Sequence, residues 1–172
     1  MPAPLQTIET LYTALRMLDA ARIEACYAPG ARFDDPAFAL QGRERIGGLW
    51  RMLCEGIVAQ GRADWRIEVD DLVVHGEGAA AVGHAHWEPR YRFGPTGRRV
   101  HNVIDATFSF DADGLILTHR DDFDFWRWSR QAIGLRGALF GWAPWFKRQA
   151  RQAAGQRLER WLLREARLRA VG

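Results

Sequence analysis

Between Trp65 and Phe123 apolar and polar residues alternate in four runs, and three short glycine-bearing turns separate them. A period of two is that of a strand with one buried face. In the first run, Trp65–Val74, the residues Trp65, Ile67 and Val69 oppose Arg66, Glu68 and Asp70. Turns follow at 75–78, 93–97 and 111–114, leaving further runs at 79–92, 98–110 and 115–123. Links this short join antiparallel neighbours, so the pattern predicts a meander.

Helical spacing precedes it. Leu5, Ile8, Leu11, Tyr12, Leu15 and Leu18 form one apolar stripe and predict a helix over 4–20. A shorter helical piece over 22–28 ends at Pro29-Gly30, and 31–35 reads as a short strand. After Gly42, a second amphipathic helix is expected over 43–59, with Ile46, Leu49, Trp50, Leu53 and Ile57 on one face. Helices followed by a curved meander define an α+β fold: an antiparallel sheet forming a cone with the helices on one face. At 172 residues, 48% of them apolar, the chain suits one core. No apolar run is long enough to span a bilayer. The first residues lack the basic and apolar regions of a leader, so the expected location is the cytoplasm.

Charge divides the chain. Residues 1–124 carry 13 arginines against 19 acids, whereas 125–172 carry 11 Lys or Arg against 2 Glu. We therefore expect a domain over 1–124 and a basic amphipathic helical extension over 125–172. A long helix should start at Pro144 and run to about Arg169, with Phe146, Ala150, Ala153, Leu158, Trp161, Leu162 and Leu168 on one stripe. It has two possible placements. One is against the acidic body or a second subunit, over the mouth of a pocket. The other is flat on an anionic membrane surface. No nucleic-acid motif accompanies the arginines, and no nucleic acid is expected.

The chemistry centres on Asp34-Asp35-Pro36, at the end of the short strand and beside Phe33, Phe38 and Leu40. A carboxylate buried among such neighbours is a candidate general base, because burial raises its pKa toward neutrality. His84 and His86 share a strand face and could take zinc with His101, but no acid or cysteine stands at a telling spacing. Cys26 and Cys54 read as small buried apolar residues. Neither a phosphate-cradling glycine loop nor a nucleophile elbow is present. No metal and no cofactor are expected.

The order of elements, the run from Tyr27 to Pro36 (YAPGARFDDP), the helix start at 42–46 (GRERI) and Val103-Ile104-Asp105 resemble the nuclear transport factor 2 superfamily. Within it, the resemblance is to the SnoaL-like and ketosteroid isomerase-like branch, over about 4–124. It implies a cystatin-like α+β barrel with a pocket between sheet and helices. By that resemblance Asp35 is the base that moves a proton beside a carbonyl. Asp105 matches the protonated aspartate of an oxyanion hole, as in ketosteroid isomerase itself. The isomerase tyrosine on the first helix is matched by Ala14, and Tyr12, two residues away, is expected to face elsewhere. The third strand is one residue longer than in the isomerases, so Asp105 faces the pocket only across a bulge. The cyclase branch implies instead a pair of His101 with Asp121, the latter in the run His119-Arg120-Asp121. Tyr27, Phe33, Trp50 and Trp87 would line the cavity.

The expected function is a cofactor-independent isomerase, cyclase or hydratase acting on a small apolar carbonyl compound, in a homodimer. The alternatives are a non-catalytic module that binds a hydrophobic ligand, and a peripheral membrane or interaction protein led by the basic tail.

Overall fold

The computed structural model describes residues 3–171. Helix α1 (Pro4–Met17) opens on a proline and buries Ile8, Leu11, Tyr12 and Leu15. It stops earlier than its stripe predicts. Leu18 adopts a left-handed conformation at φ 57°, and the Asp19 N–H returns to the Ala14 carbonyl. Asp19 then caps α2 (Ala20–Ala25) through the Arg22 N–H. The expected piece at 22–28 is cut short because strand β1 (Tyr27–Asp34) already begins at Tyr27. A tight turn leads to β2 (Ala39–Gln41), and α3 (Arg43–Ala59) follows at its predicted bounds.

The meander comprises β3 (Arg66–His75), β4 (Val82–Phe93), β5 (Arg98–His101), β6 (Ile104–Phe110) and β7 (Ile116–Asp122). Strand order is β2-β1-β7-β6-β4-β3, with β5 on β4. All pairs are antiparallel except β1–β7, which makes the sheet mixed. The single run predicted over 98–110 is two strands. Arg90 pairs with His101 and Trp87 with Ile104 in one register. Between them Asn102 donates to the Pro89 carbonyl at 3.0 Å, but Pro89 has no N–H to return. The ladder breaks there without a slip.

The sheet curls around α1 and α3. Ile8, Leu11, Ile46, Leu49, Ile104, Phe108 and Phe110 are buried in one core, each contributing about 1.5–3 kcal/mol by leaving water.

The extension is helical throughout: α4 (Phe125–Ala132), α5 (Leu135–Phe140) and α6 (Pro144–Val171). Helix α5 packs directly on α4, where a Cβ on Gly137 would lie 2.0 Å from the Ser129 carbonyl oxygen. Helix α6 lies on α3, against the acidic body. A Cβ on Gly48 would lie 2.4 Å from Leu162 Cδ2. Leu158 is fully buried in the main core. Arg51 bonds Glu24 and also Glu165, the latter at 3.2 Å. Glu55 accepts from Trp161 at 2.6 Å and Arg164 at 2.8 Å. Arg151 pairs with Asp34 at 2.9 Å. Ala153 and Leu168 are exposed, so the buried stripe is narrower than predicted.

Candidate active site

Five elements converge on one buried cluster. Inward-facing positions of β1 supply Tyr27 and Phe33. Strand β7 supplies His119 and Asp121, two residues apart and therefore on one face. Trp50 comes from α3, Trp87 from β4 and Tyr12 from α1, and all seven side chains are buried.

Their polar atoms form a chain. Trp50 donates its indole N–H to the Tyr27 hydroxyl at 3.2 Å, and that hydroxyl lies 2.7 Å from His119 Nδ1. His119 Nε2 lies 3.0 Å from Asp121 Oδ1, which also accepts the Trp87 N–H at 3.3 Å. Every donor is used when Tyr27 donates to Nδ1 and His119 carries its proton on Nε2. Aromatic rings hold the imidazole. Its ring centre lies 5.0 Å from that of Phe33 and 4.4 Å from that of Phe108.

Tyr12 stands apart from this chain. Its hydroxyl is buried and has no hydrogen-bond partner among the described residues. Burial, then the nearby charge of Asp121, push its pKa well above the usual tyrosine value. It therefore stays protonated and can donate. An orphan of this kind costs about 1–3 kcal/mol.

Asp35 lies just beyond β1, in the turn that reaches β2. Its N–H donates to the Phe38 carbonyl at 2.9 Å. Its Oδ1 accepts the N–H groups of Ala37 and Phe38 at 2.6 and 2.5 Å. Burial pushes its pKa up to about 7, against the pull of the Phe38 N–H, and the charge of Asp121 adds to the rise. Tyr91 is pushed to about 12, first by burial, with the charge of Asp35 contributing. Trp128 of α4 donates to the Tyr91 hydroxyl at 2.9 Å, so the extension joins the rim of the site.

A family model for the SnoaL-like domain matches residues 8–119. The chain belongs to the SnoaL-like family. A search of curated protein sequences finds no significant match. Among solved structures, this SnoaL-like chain is similar to an LEH-like epoxide hydrolase of M. tuberculosis. That likeness is 20% identity, 79% of this chain, 92% of the other and a TM-score of 0.53. It is also similar to TsrD from Streptomyces laurentii, at 27% identity, 76% and 94% coverage and a TM-score of 0.57. A protein of unknown function with a cystatin-like fold from Methylobium petroleophilum PM1 matches at 24% identity, 68% and 72% coverage and a TM-score of 0.52.

Not all the residues that the resemblance nominated meet in this SnoaL-like cluster. Tyr27, Phe33, Trp50, Trp87 and Asp121 lie within it, and Asp35 stands at its rim. Asp105 and His101 do not. On β6 the even positions Ile104, Ala106, Phe108 and Phe110 face inward, and Asp105 points out with its side chain 79% exposed. It bonds His86 at 2.8 Å, which raises the histidine's pKa. A register shift against β7 does occur, but between Ser109 and Phe110, and it does not turn Asp105 inward. His101 lies 2.5 Å from Glu88 on the same outer face. Among the described residues no group of three or more His, Cys, Asp or Glu is set to hold a metal ion.

Two residues of the SnoaL-like site were missed as candidates. His119, not His101, partners Asp121, and its signal was the spacing of two on one strand. Tyr12 faces inward, as its place in the α1 stripe implied and its offset from Ala14 did not.

Proposed function

We propose that this SnoaL-like protein is a cofactor-independent enzyme that moves a proton beside the carbonyl of a small apolar compound. The observation that carries the reading is the unpartnered Tyr12 hydroxyl, buried near Asp121, in a site whose rim holds Asp35. A carboxyl with a pKa of about 7 is ionised in half of the molecules near neutrality, and it gives up and takes back a proton with little driving force. The Asp35 carboxylate removes the proton α to the carbonyl. The Tyr12 O–H donates to the oxygen that becomes the enolate. The protonated Asp35 then returns its proton to another carbon, or the enolate carbon attacks an internal carbonyl carbon, whose oxygen takes the π electrons and then the proton. The first outcome is isomerisation and the second cyclisation. The Tyr27–His119–Asp121 chain holds the floor of the site, and Phe33, Trp50 and Trp87 favour an apolar substrate.

The test is deuterium uptake at the α-carbon of a panel of small apolar ketones, followed by proton NMR. Wild-type protein is expected to catalyse uptake. Asp35→Asn is expected to lose on the order of a hundredfold or more, and the outward-facing Asp105→Asn to lose nothing. Equal rates for wild type and Asp35→Asn would remove the reading. Saturable ketone binding without exchange would leave a binding module.

A further inference from the structure

The segment joining the domain to α6 carries a second surface, separate from the buried site. From Phe125 to Leu158 the chain has seven Lys or Arg and no acid. The same segment leaves large apolar side chains in water: Leu135 at 75% exposure, Trp142 at 69%, Leu139 at 55% and Trp145 at 50%. They form one ridge. The Trp142 indole donates to the Leu139 carbonyl at 3.0 Å. The Trp145 ring lies 5.6 Å from that of Phe140, and Trp126 donates to the Ala138 carbonyl at 3.1 Å. Soluble surfaces rarely leave so many contiguous apolar groups uncovered without a partner.

Beside the ridge an open recess of about 720 Å³ lies between β5 and α4, lined by Arg92, Arg98, Arg99, Arg127, Arg130 and Gln131. One acid serves it: Asp64 pairs with Arg92 at 2.5 Å and Arg99 at 3.2 Å. Arg98 donates to the Gln131 carbonyl, and Arg127 and Arg130 meet no carboxylate among the described residues. The Arg130 guanidinium stands 4.7 Å over the Trp126 ring, so recess and ridge are continuous.

We infer that the α4–α5 elbow and the first turn of α6 dock on an anionic phospholipid surface, with the ridge at the headgroup level and the arginine recess facing lipid phosphates. Exposed Trp, Phe and Leu beside a cluster of cations in which Asp64 is the one paired acid have the chemistry of an interfacial anchor. A two-fold contact between copies fits poorly. It would bring two copies of one cationic patch, with Arg127, Arg130, Arg136, Lys147 and Arg148, against each other. Beyond its first turns, helix α6 presents its core-facing side to the domain: Leu158 is buried, and Arg151 and Arg164 pair with Asp34 and Glu55.

The full-length protein is to be floated with vesicles of phosphatidylcholine alone and with about one third phosphatidylglycerol, with light scattering in parallel. The expected result is flotation with the anionic vesicles only, lost at high salt. Leu139→Ser with Trp142→Ser, and separately Arg127→Glu with Arg130→Glu, are each expected to weaken it at least tenfold. Circular dichroism should stay unchanged, since these side chains are exposed. Three results would overturn the inference. One is no flotation, or equal flotation with both vesicle types. Another is a change of oligomeric state in the ridge variant without a change in flotation, which assigns the ridge to a second copy. The third is flotation abolished by millimolar glycerol phosphate at constant ionic strength yet insensitive to the ridge substitutions, which assigns the recess to a soluble phosphate compound.

Discussion

His119 and Asp121 bond at 3.0 Å although both side chains are almost wholly removed from water. A carboxylate so placed is tolerated only when donors surround it, and here the Trp87 indole supplies a second one on the same oxygen. The pair therefore ties β7 to β4 as well as to Tyr27 and α3. Replacing Asp121 by Leu strands two buried N–H groups and should cost about 2–4 kcal/mol in urea unfolding. Asp121→Asn, which keeps an oxygen at that place, should cost less.

Asp35 gives a stability profile with a defined sign. Its folded pKa, about 7, lies above the ordinary aspartate value of 3.8. Between those two values the folded state keeps a proton that the unfolded chain has lost. Stability from this group is thus full below about pH 4, declines as pH rises, and is constant above about pH 7. Asp35→Asn, which can still accept the Ala37 and Phe38 N–H groups, should flatten that decline. It should also melt higher than wild type at pH 8, as thermal scans across pH will show.

Two tyrosines in the same cluster should respond in opposite ways. Tyr27→Phe removes the acceptor of the Trp50 N–H and the partner of His119, and a loss of about 1–2 kcal/mol is expected. Tyr12→Phe removes only an oxygen without a partner, so stability should hold or rise slightly. The same variant should lose about a hundredfold in the ketone exchange assay if Tyr12 serves the enolate.

Apolar burial, rather than the many ion pairs, should dominate the attachment of α6. Leu158 is fully buried, and Leu158→Ala should cost about 2–5 kcal/mol. Glu159 pairs with Arg45 at a site where both side chains are about half exposed. Glu159→Ala should cost about 0–1 kcal/mol. Denaturant titration of the two neighbouring variants separates the contributions.

What could be read in the sequence was whatever depends on local pattern. The bounds of α3 follow from Gly42 and a clean stripe. The inward set of Ile104, Phe108 and Phe110 was visible, and with it the wrong parity of Asp105. What escaped depends on distant partners. The break at Asn102 has its cause in Pro89, on the neighbouring strand. Leu18 ends α1 with no glycine to announce the turn, and β1 starts early because Tyr27 and Ile116 lie side by side in space. Tyr12 was legible from its stripe, but alignment to a tyrosine at another helical position argued against it. His119 and Asp121 carried the simplest signal, a spacing of two on a strand, yet His101 on the outer face took the candidacy.

The brace formed by α6 also constrains the order of assembly. Arg45 and Glu159, like Arg51 and Glu165, are separated by 114 residues. In a chain made from its N-terminus, the helix that covers α3 is therefore the last element to be made. Until then Arg45, Gly48 and Glu55 lack their neighbours from α6. The last part of the chain to be made is thus the part that brings Glu159 and Glu165 to the arginines of α3 and Leu158 to the core.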